Sequence, residues 1–327
     1  MKRPKLTGAL IGGLALLVAL LFFGSLLAGK AWVPPRVWFT QDPLWWIVAE
    51  LRLPRAILGL AIGAGLGLTG AVLQGYLRNP LADPAVIGVS SSAALGAVAM
   101  IVVFSVTTPL LIFGGAMGAA CLSMFLLAAL AWRADSAVAF ILAGTVLASL
   151  SGALTAFLIS VAPNPYAVAE IIDWIMGSLT DRSFAEAQLA VPFIAIGCAL
   201  LLLTGRALDA LTLGEAAAKS MGVRTERTQL LIVLGSGLVV GASVAVTGVI
   251  GFVGLIVPHL LRPLTGARPG ALLLPSMLGG AALVLAADSI VRLVPIAGEI
   301  RLGVAMALLG APFFFALLLR MRSSAWT

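Results

Sequence analysis

Charged residues are scarce in this sequence, and their scarcity excludes most classes of soluble protein. Only 10% of the 327 residues are Asp, Glu, Lys or Arg, and 61% are hydrophobic, whereas soluble domains carry about 25% charged residues. The apolar runs come in blocks of about 20 residues, the length of a helix that crosses a bilayer. Nothing alternates as the strands of a membrane barrel do. We therefore predict an all-α polytopic membrane protein.

Cysteine and histidine are almost absent, which argues against a disulfide framework or a metal site. Cys121 and Cys198 both lie inside apolar runs, where buried, small hydrophobic side chains are expected. The single histidine, His259, follows Pro258, and we interpret it as a hydrogen-bonding group at a helix end rather than a metal ligand. No metal or cofactor is expected to bind to this chain itself.

The apolar blocks contain hardly any ionisable groups, and this disfavours an ion-driven carrier or an intramembrane enzyme. Asp288 and Arg292 are one helical turn apart near a predicted outer end, where a structural pair is one interpretation. The stretch GSLLAGKA (24–31) resembles a phosphate-binding loop but ends in Ala31 and follows a membrane helix, so we reject it. The net charge of +7 is explained by membrane topology rather than by nucleic-acid binding. Energy for active transport must then come from another polypeptide.

Ten apolar blocks predict ten membrane spans. The stretch 229–261 is too long for one span and contains Gly248, Gly251, Gly254 and Pro258, so we divide it into two spans, the second short. Residues 6–28 are longer than the core of a signal peptide and are expected to form an uncleaved first span. The blocks lie at about 6–28, 54–77, 85–106, 109–131, 137–161, 188–205, 229–249, 250–261, 271–291 and 302–319.

The distribution of positive charge supports ten spans with both termini in the cytoplasm. With that topology, Lys and Arg favour the inner side by about two to one, as the positive-inside rule requires. Nine spans would place Arg320 and Arg322 outside. GAGLGLTGAV (63–72) and GASVAVTGVI (241–250) also match in register. The match predicts an inverted repeat of spans 2–5 and 7–10, as in many transporters, although glycine-rich helices can also match by chance.

The stretch GEAAAKSMGVRTERT (214–228) is unusually polar for this chain. Thr212 and Glu215 have the spacing of a capping box, residues 216–221 favour helix, and Gly222 is a natural helix stop. The pattern predicts a short cytoplasmic helix between spans six and seven. It leaves open whether this helix is a solvated loop element or a docking site for a partner. On the other side, Asn164-Pro165 predicts a helix through Ile175 with Gly177 after it.

Three stretches resemble the FecCD/BtuC-type permease family, the membrane subunits of ABC importers for iron–siderophore complexes, haem and cobalamin. They are RLPRAILGLAIGAGLGLTGAVLQGYLRNPLADPAVIGVSSSAALGA (52–97), GFVGLIVPHLLR (251–262) and RLGVAMALLGAPFFFALLLR (301–320). The resemblance implies a single permease domain (1–327) in the bacterial inner membrane, acting as a homodimer. It also implies two ATPase subunits, which bind ATP and magnesium, and a periplasmic substrate-binding protein. An iron chelate is the expected cargo, with cobalamin as the alternative.

The resemblance assigns roles to particular residues. Residues 206–228 would couple the permease to the ATPase, through Thr212, Glu215, Ala216, Ala217, Met221 and Gly222. Arg52, Arg55 and Arg292 would dock the binding protein, although helix-end anchoring is the other interpretation. Residues that would close the cytoplasmic end of the path, unless they serve turns only, are Asn79, Leu81, Asp135 and Ser136. The chain has Arg301 where the family usually has a proline, which adds positive charge outside.

Overall fold

The computed structural model describes residues 4–84, 88–106, 108–132, 137–295 and 299–324, and these ranges are helical almost throughout, with no strand. A π-helical segment, Ile47–Arg52, joins α2 to α3, and a 3-10 turn, Arg262–Thr265, follows α12. The α-helices are α1 Pro4–Leu27, α2 Pro43–Trp46, α3 Leu53–Tyr76, α4 Val89–Val102, α5 Pro109–Trp132, α6 Ala137–Ser160, α7 Pro165–Ile175, α8 Phe184–Leu202, α9 Gly205–Leu211, α10 Glu215–Ser220, α11 Thr225–Thr247, α12 Val253–Leu261, α13 Pro269–Leu293 and α14 Leu302–Ser324.

Each of the ten apolar blocks coincides with one of these helices. Seven helical segments in the described ranges are long and apolar enough to cross a membrane, and α4, α12 and α14 belong to three shorter apolar helices. The predicted division of 229–261 is confirmed, because α11 ends at Thr247 and α12 begins at Val253. Gly248 makes the break with a positive φ of 69°, and its Cα lies against the carbonyl oxygen of Trp174, where a side chain would not fit.

The outer surface of the helix bundle is apolar. The peripheral helices α1, α5, α6 and α14 expose large side chains such as Leu16, Phe125, Phe157 and Leu308, whereas α3 and α11 are mostly buried. Such a surface is unfavourable in water but matches the hydrocarbon core of a bilayer. Cys198 is buried as predicted, but Cys121 on α5 is exposed on this surface, so the expectation of burial was wrong for it.

Glycine allows α3 to contact α13 and α12 at backbone distance. A Cβ atom added at Gly63 would meet the carbonyl oxygen of Gly280, and one added at Gly67 would meet the carbonyl oxygen of Ser276. Gly70 lies in the same way against Gly254 of α12. Because lipid provides no hydrophobic force between helices, close packing of this kind supplies much of the stability.

Replacing Gly70 by alanine is expected to lower the free energy of unfolding by about 1–3 kcal/mol, because the new methyl group must displace the backbone of Gly254. The change is measured by thermal unfolding of the purified chain in detergent. Gly13→Ala in α1 is the control, since no atom lies within 4 Å of its added Cβ, and it should leave the melting temperature unchanged or raise it. Equal effects of the two substitutions would contradict the interface.

His259 does not have the environment that its position in the sequence suggested. Its ring packs against Phe313, with 5.8 Å between the ring centroids. The Nδ1 atom is buried and has no hydrogen-bond partner among the described residues. The predicted hydrogen-bonding role is therefore not seen at this atom, because packing of α12 against α14 buries it in apolar surroundings.

Candidate functional site

The residues predicted to carry function form two clusters at opposite ends of α3 and α13. Arg55 lies at the start of α3 and Arg292 lies near the end of α13, whereas Tyr76 at the end of α3 contacts the region of α10. A 24-residue helix such as α3 is about 36 Å long at 1.5 Å per residue. The arginine cluster and the coupling segment are therefore separated by about the thickness of a membrane.

The arginine cluster is built around the carboxylate of Asp288. Arg55 donates to it from both Nε and Nη2, with Nη2 2.8 Å from Oδ1. Arg292 Nη2 lies 3.0 Å from Oδ2 of the same carboxylate, which confirms the pair expected one turn apart. Asp288 is 1% exposed and the two arginines are 8% and 4% exposed. The ion pairs thus join α3 to α13 in a region that excludes water.

The same cluster holds the end of α1. Arg292 donates to the carbonyl oxygen of Ala28 at 3.0 Å and to Ser25 Oγ at 2.6 Å. Arg52 donates to the carbonyl oxygens of Leu26, Leu27 and Ala31. The carbonyls of Leu26, Leu27 and Ala28 lie at the end of α1, where the last carbonyls lack intrahelical partners, so the guanidinium groups act as C-terminal caps of α1. The alternative role of helix-end anchor is thus present in the structure, and docking stays a prediction for these buried side chains.

A second carboxylate extends the cluster to the loop before α14. Glu299 Oε2 accepts from Arg55 Nη1 at 3.0 Å and from Thr180 Oγ1 at 2.8 Å. Two residues later, Arg301 forms an exposed ion pair with Asp173 of α7 at 2.7 Å. No sequence pattern indicated that Glu299 would join the arginines, because its partners are 119 and 244 residues away along the chain.

The pKa of Glu299 makes this cluster sensitive to pH. Burial by itself raises the pKa of its carboxyl, but the charge of Arg55 and the hydrogen bonds from Thr180 and Arg55 bring it below the ordinary value. Because the folded-state pKa is lowered, the contact stabilises the protein above the unfolded pKa of about 4.3. The contribution is lost as the pH falls through the folded-state pKa.

Glu299→Gln is expected to lower the melting temperature at pH 7 and to have a shrinking effect as the pH is reduced toward 3. The reason is that the stabilisation by the ionised wild-type carboxylate is lost as the pH falls below the unfolded pKa of about 4.3 toward the lower folded-state pKa. Melting curves of both proteins between pH 7 and pH 3 measure the difference. Glu50→Gln is the control because no ion pair of Glu50 is found among the described residues. A difference that is independent of pH would contradict the assigned role.

The coupling segment contains two short helices, α9 and α10. The predicted helix at 216–221 is confirmed with bounds Glu215–Ser220, and Gly222 ends it with a φ of 83°. The predicted capping box was wrong. Thr212 donates its hydroxyl to the carbonyl oxygen of Asp209 at 2.6 Å and so closes α9, while Gly214 is the N-cap of α10 with a φ of 105° and no side-chain bond. The glycine permits a turn that brings the two helices together.

Packing decides which face of α10 is free. Ala218 is fully buried against Ala210 and Leu211 of α9, beside Tyr76 of α3. Leu213 and Met221, which border α10 on its two sides, are 68% and 62% exposed. Glu215 and Lys219 form a half-exposed pair at 3.2 Å, which contributes little to stability. Sequence reasoning missed Leu213, and an apolar residue in the most polar segment of the chain was the available signal.

A carboxylate connects this segment to α13. Asp209 Oδ1 accepts from the backbone N–H of Gly270 at 2.8 Å, in the first turn of α13. Its other oxygen lies 3.7 Å from Arg268. Together with the contact between Ala218 and Tyr76, this bond fixes α9 and α10 to the ends of the two helices that carry the arginine cluster.

Comparison with known proteins identifies the family of this chain. The model of the FecCD transport family matches residues 16–320. The chain belongs to this family. This chain is 35% identical to the hemin transport permease HmuU of Yersinia pestis, over 98% of this chain and 97% of HmuU. It is 39% identical to the vitamin B12 import permease BtuC of Vibrio cholerae, over 99% and 96% of the two chains.

Further matches support the same identification. The Fe(3+) dicitrate permease FecD of Escherichia coli is 35% identical over 87% of this chain and 89% of its own length. A solved inward-facing structure of a metal-chelate type ABC transporter superposes with a TM-score of 0.87 at 32% identity and covers 96% of this chain and 99% of that one. The FecCD permease is thus a subunit of an ABC importer and not an enzyme.

The structure describes only two of the four residues predicted to gate the path. Asn79 forms a turn, in which its Oδ1 accepts from the backbone N–H of Leu81 at 2.9 Å. Asn79 is exposed and Leu81 is half-buried. Asp135 and Ser136 lie outside the described residues. The turn interpretation of Asn79 is confirmed, and a gating role of this set stays a prediction.

The predicted helix between spans five and six is confirmed as α7. It begins at Pro165 and ends at Ile175, with Asn164 Oδ1 accepting from the N–H of Ala167 at 2.9 Å. Gly177 follows with a φ of 72°. Ser178 donates its N–H to the carbonyl oxygen of Thr247 at 2.7 Å, which holds the α7 region against the end of α11.

Proposed function

We propose that this FecCD permease is the membrane-spanning subunit of an ATP-driven importer that moves an iron chelate, a siderophore complex or haem, from the periplasm to the cytoplasm. One observation carries the proposal. The exposed apolar residues Leu213 and Met221 border α10 on its two sides. α10 packs on α9, and α9 contacts the ends of α3 and α13 that lie away from the arginine cluster. A partner that grips α10 can therefore act on the whole length of α3 and α13.

The proposal includes the topology. All ten apolar helices cross the inner membrane of a bacterium, including the three shorter ones, and both termini are cytoplasmic. The excess of Lys and Arg in the inner segments supports this orientation. Spans 2–5 and 7–10 form an inverted repeat, so that residues 63–72 of α3 and 241–250 around the end of α11 occupy equivalent positions. The chain is one permease domain, in which 206–228 is the coupling segment.

The proposed partners divide the work. Two copies of the permease enclose the path along their shared axis, and two ATPase subunits, which bind ATP and magnesium, dock on α10 of each copy. The residues proposed to meet the ATPase are Thr212, Leu213, Glu215, Ala216, Ala217, Met221 and Gly222. The permease itself binds no cofactor. Asn79, Leu81, Asp135 and Ser136 are proposed to close the cytoplasmic end of the path.

Docking of the periplasmic binding protein is proposed at Arg52, Arg55 and Arg292. Carboxylates of that protein would form forked hydrogen bonds with these guanidinium groups. Since all three side chains are at least 92% buried and bonded within the chain, docking must compete with Asp288 and with the end of α1. Docking therefore requires a local rearrangement of this end of the bundle.

An iron chelate is the favoured cargo because relatives named for hemin and for Fe(3+) dicitrate match over most of their length. Cobalamin is the second candidate, and the 39% identity with the BtuC protein of Vibrio cholerae favours it. An ion-driven carrier is disfavoured by the nearly uncharged helix interiors. The path is proposed to make few specific contacts, so that recognition of the cargo lies mainly in the binding protein.

Reconstitution tests the assignment. The permease is placed in proteoliposomes with its ATPase and binding-protein partners, and uptake of labelled haem, ferric siderophore and cobalamin is measured with and without ATP. ATP-dependent uptake of an iron chelate, and none of cobalamin, is expected. Uptake of cobalamin alone would select the second candidate. Uptake driven by an ion gradient without ATPase would overturn the proposal, as would tight binding of cargo to the isolated permease.

A further inference from the structure

A basic cleft lies beside the coupling segment, between the end of α8, the start of α9 and the start of α11. Its volume is about 510 Å³, and its lining includes Arg206, Arg224 and Arg227. All three arginines are exposed. No carboxylate of the described residues lies within 4.0 Å of their guanidinium groups. The cleft therefore concentrates three unneutralised positive charges.

The rim of the cleft is apolar and continues onto the sides of two membrane-spanning helices. Leu203 and Leu231 line it, and Leu203 is 68% exposed. On α11, Leu230 and Leu234 continue the exposed apolar surface away from the arginines, at 43% and 45% exposure. The cleft thus combines three arginines with an exposed apolar surface that continues along α11.

We propose that this cleft binds the phosphate headgroup of an anionic phospholipid of the same leaflet. Guanidinium groups form forked hydrogen bonds with phosphate oxygens, and basic pockets between membrane helices on the cytoplasmic side are suited to such headgroups. The apolar rim accommodates the upper part of the acyl chains along α8 and α11. A soluble acidic protein would neutralise the arginines but would leave this membrane-facing rim uncovered.

The position of the cleft means that a bound lipid would contact the helices on both sides of α10. Arg206 belongs to α9, whereas Arg224 and Arg227 flank the start of α11, so the bound headgroup bridges the two elements that enclose α10. Gly222 and Val223, which end α10, also line the cleft. An occupied cleft would hold α10 in place relative to the helices on both sides of it.

Binding is tested on the full-length chain, purified in a neutral detergent and freed of lipid. Native mass spectrometry measures the affinities of phosphatidylglycerol and phosphatidylcholine. Phosphatidylglycerol is expected to bind more tightly. The change R206Q/R224Q/R227Q should weaken it about a hundredfold, since each basic group near a membrane surface contributes about fivefold. R268Q is the matched control because Arg268 is exposed on the same side but does not line the cleft, and it should leave the affinity unchanged.

Three results would overturn the proposal. The first is equal affinity for the two lipids, or an equal effect of R268Q and the triple substitution. The second is displacement of phosphatidylglycerol by soluble glycerol phosphate at the same concentration, which would assign the cleft to a free phosphate compound. The third is a loss of ATPase binding in the triple variant with unchanged lipid affinity, which would place the cleft in the ATPase interface. Melting curves show whether the variants are folded, and none of these results depends on the cargo.

Discussion

Asp288→Ala is expected to lower the free energy of unfolding by about 3–5 kcal/mol, the cost of removing one partner from a buried ion pair. The carboxylate is 1% exposed and is shared by Arg55 and Arg292. After the substitution both guanidinium groups remain buried, and among the described residues Arg55 keeps only the half-buried Glu299 as a charged partner. Unfolding of the purified chain by heat or denaturant in detergent measures the loss.

Asp173→Ala is the matched control for this prediction. Its ion pair with Arg301 has a comparable distance of 2.7 Å, but the Asp173 side chain is 57% exposed. Exposed pairs contribute about 0–1 kcal/mol because water and salt screen them. If Asp288→Ala costs no more than Asp173→Ala, the buried cluster does not hold α1, α3 and α13 together. A double-mutant cycle with Arg55→Met should show a coupling of about 0.5–3 kcal/mol.

Replacing Leu213 and Met221 together by aspartate is expected to abolish ATP-driven uptake without unfolding the permease. Both side chains are more than 60% exposed, so the substitutions should change stability by only about 0.5 kcal/mol. In an interface, loss of a central apolar contact costs about 2 kcal/mol or more, which is about a thirtyfold loss of affinity for the ATPase. Uptake and binding of the ATPase are measured on the same preparations.

Leu264→Asp is the control for the coupling surface. Leu264 is 52% exposed in the 3-10 turn after α12 and does not belong to α9 or α10. It should retain ATPase binding and uptake. Normal uptake by the Leu213/Met221 variant would remove the basis for assigning α10 to the ATPase, whereas a defect in the Leu264 variant of the same size would point to a general effect of charge.

The order and bounds of the apolar helices could be predicted because they depend on local properties. The apolar runs 54–77 and 271–291 predict the ends of α3 and α13 to within two residues. They do so because the length and hydropathy of a membrane helix depend only on consecutive residues. Asn164-Pro165 and Gly222 likewise mark helix ends through their own backbone and capping preferences. The failed capping box shows the limit of this approach, because Thr212 had an equally good local partner in the carbonyl of Asp209.

The candidate site was only partly accessible from sequence. The resemblance selected Arg52, Arg55 and Arg292 as a group, and the structure brings Arg55 and Arg292 onto one carboxylate. Nothing in the sequence indicated that they would be buried, because burial depends on how α1 packs against α3 and α13. The contribution of Glu299 was hidden for the same reason.

By itself, the sequence determined that this chain is a helical membrane protein, since hydropathy and the scarcity of charge act residue by residue. Only the tertiary structure decided which side chains are free to meet a partner. It turned Ala218 inward and Leu213 outward on the coupling segment, and it enclosed the three arginines with Asp288. The physical reason is that exposure and ion pairing depend on how segments pack against one another, and Asp288 and Glu299, the partners of Arg55, lie 233 and 244 residues away from it along the chain.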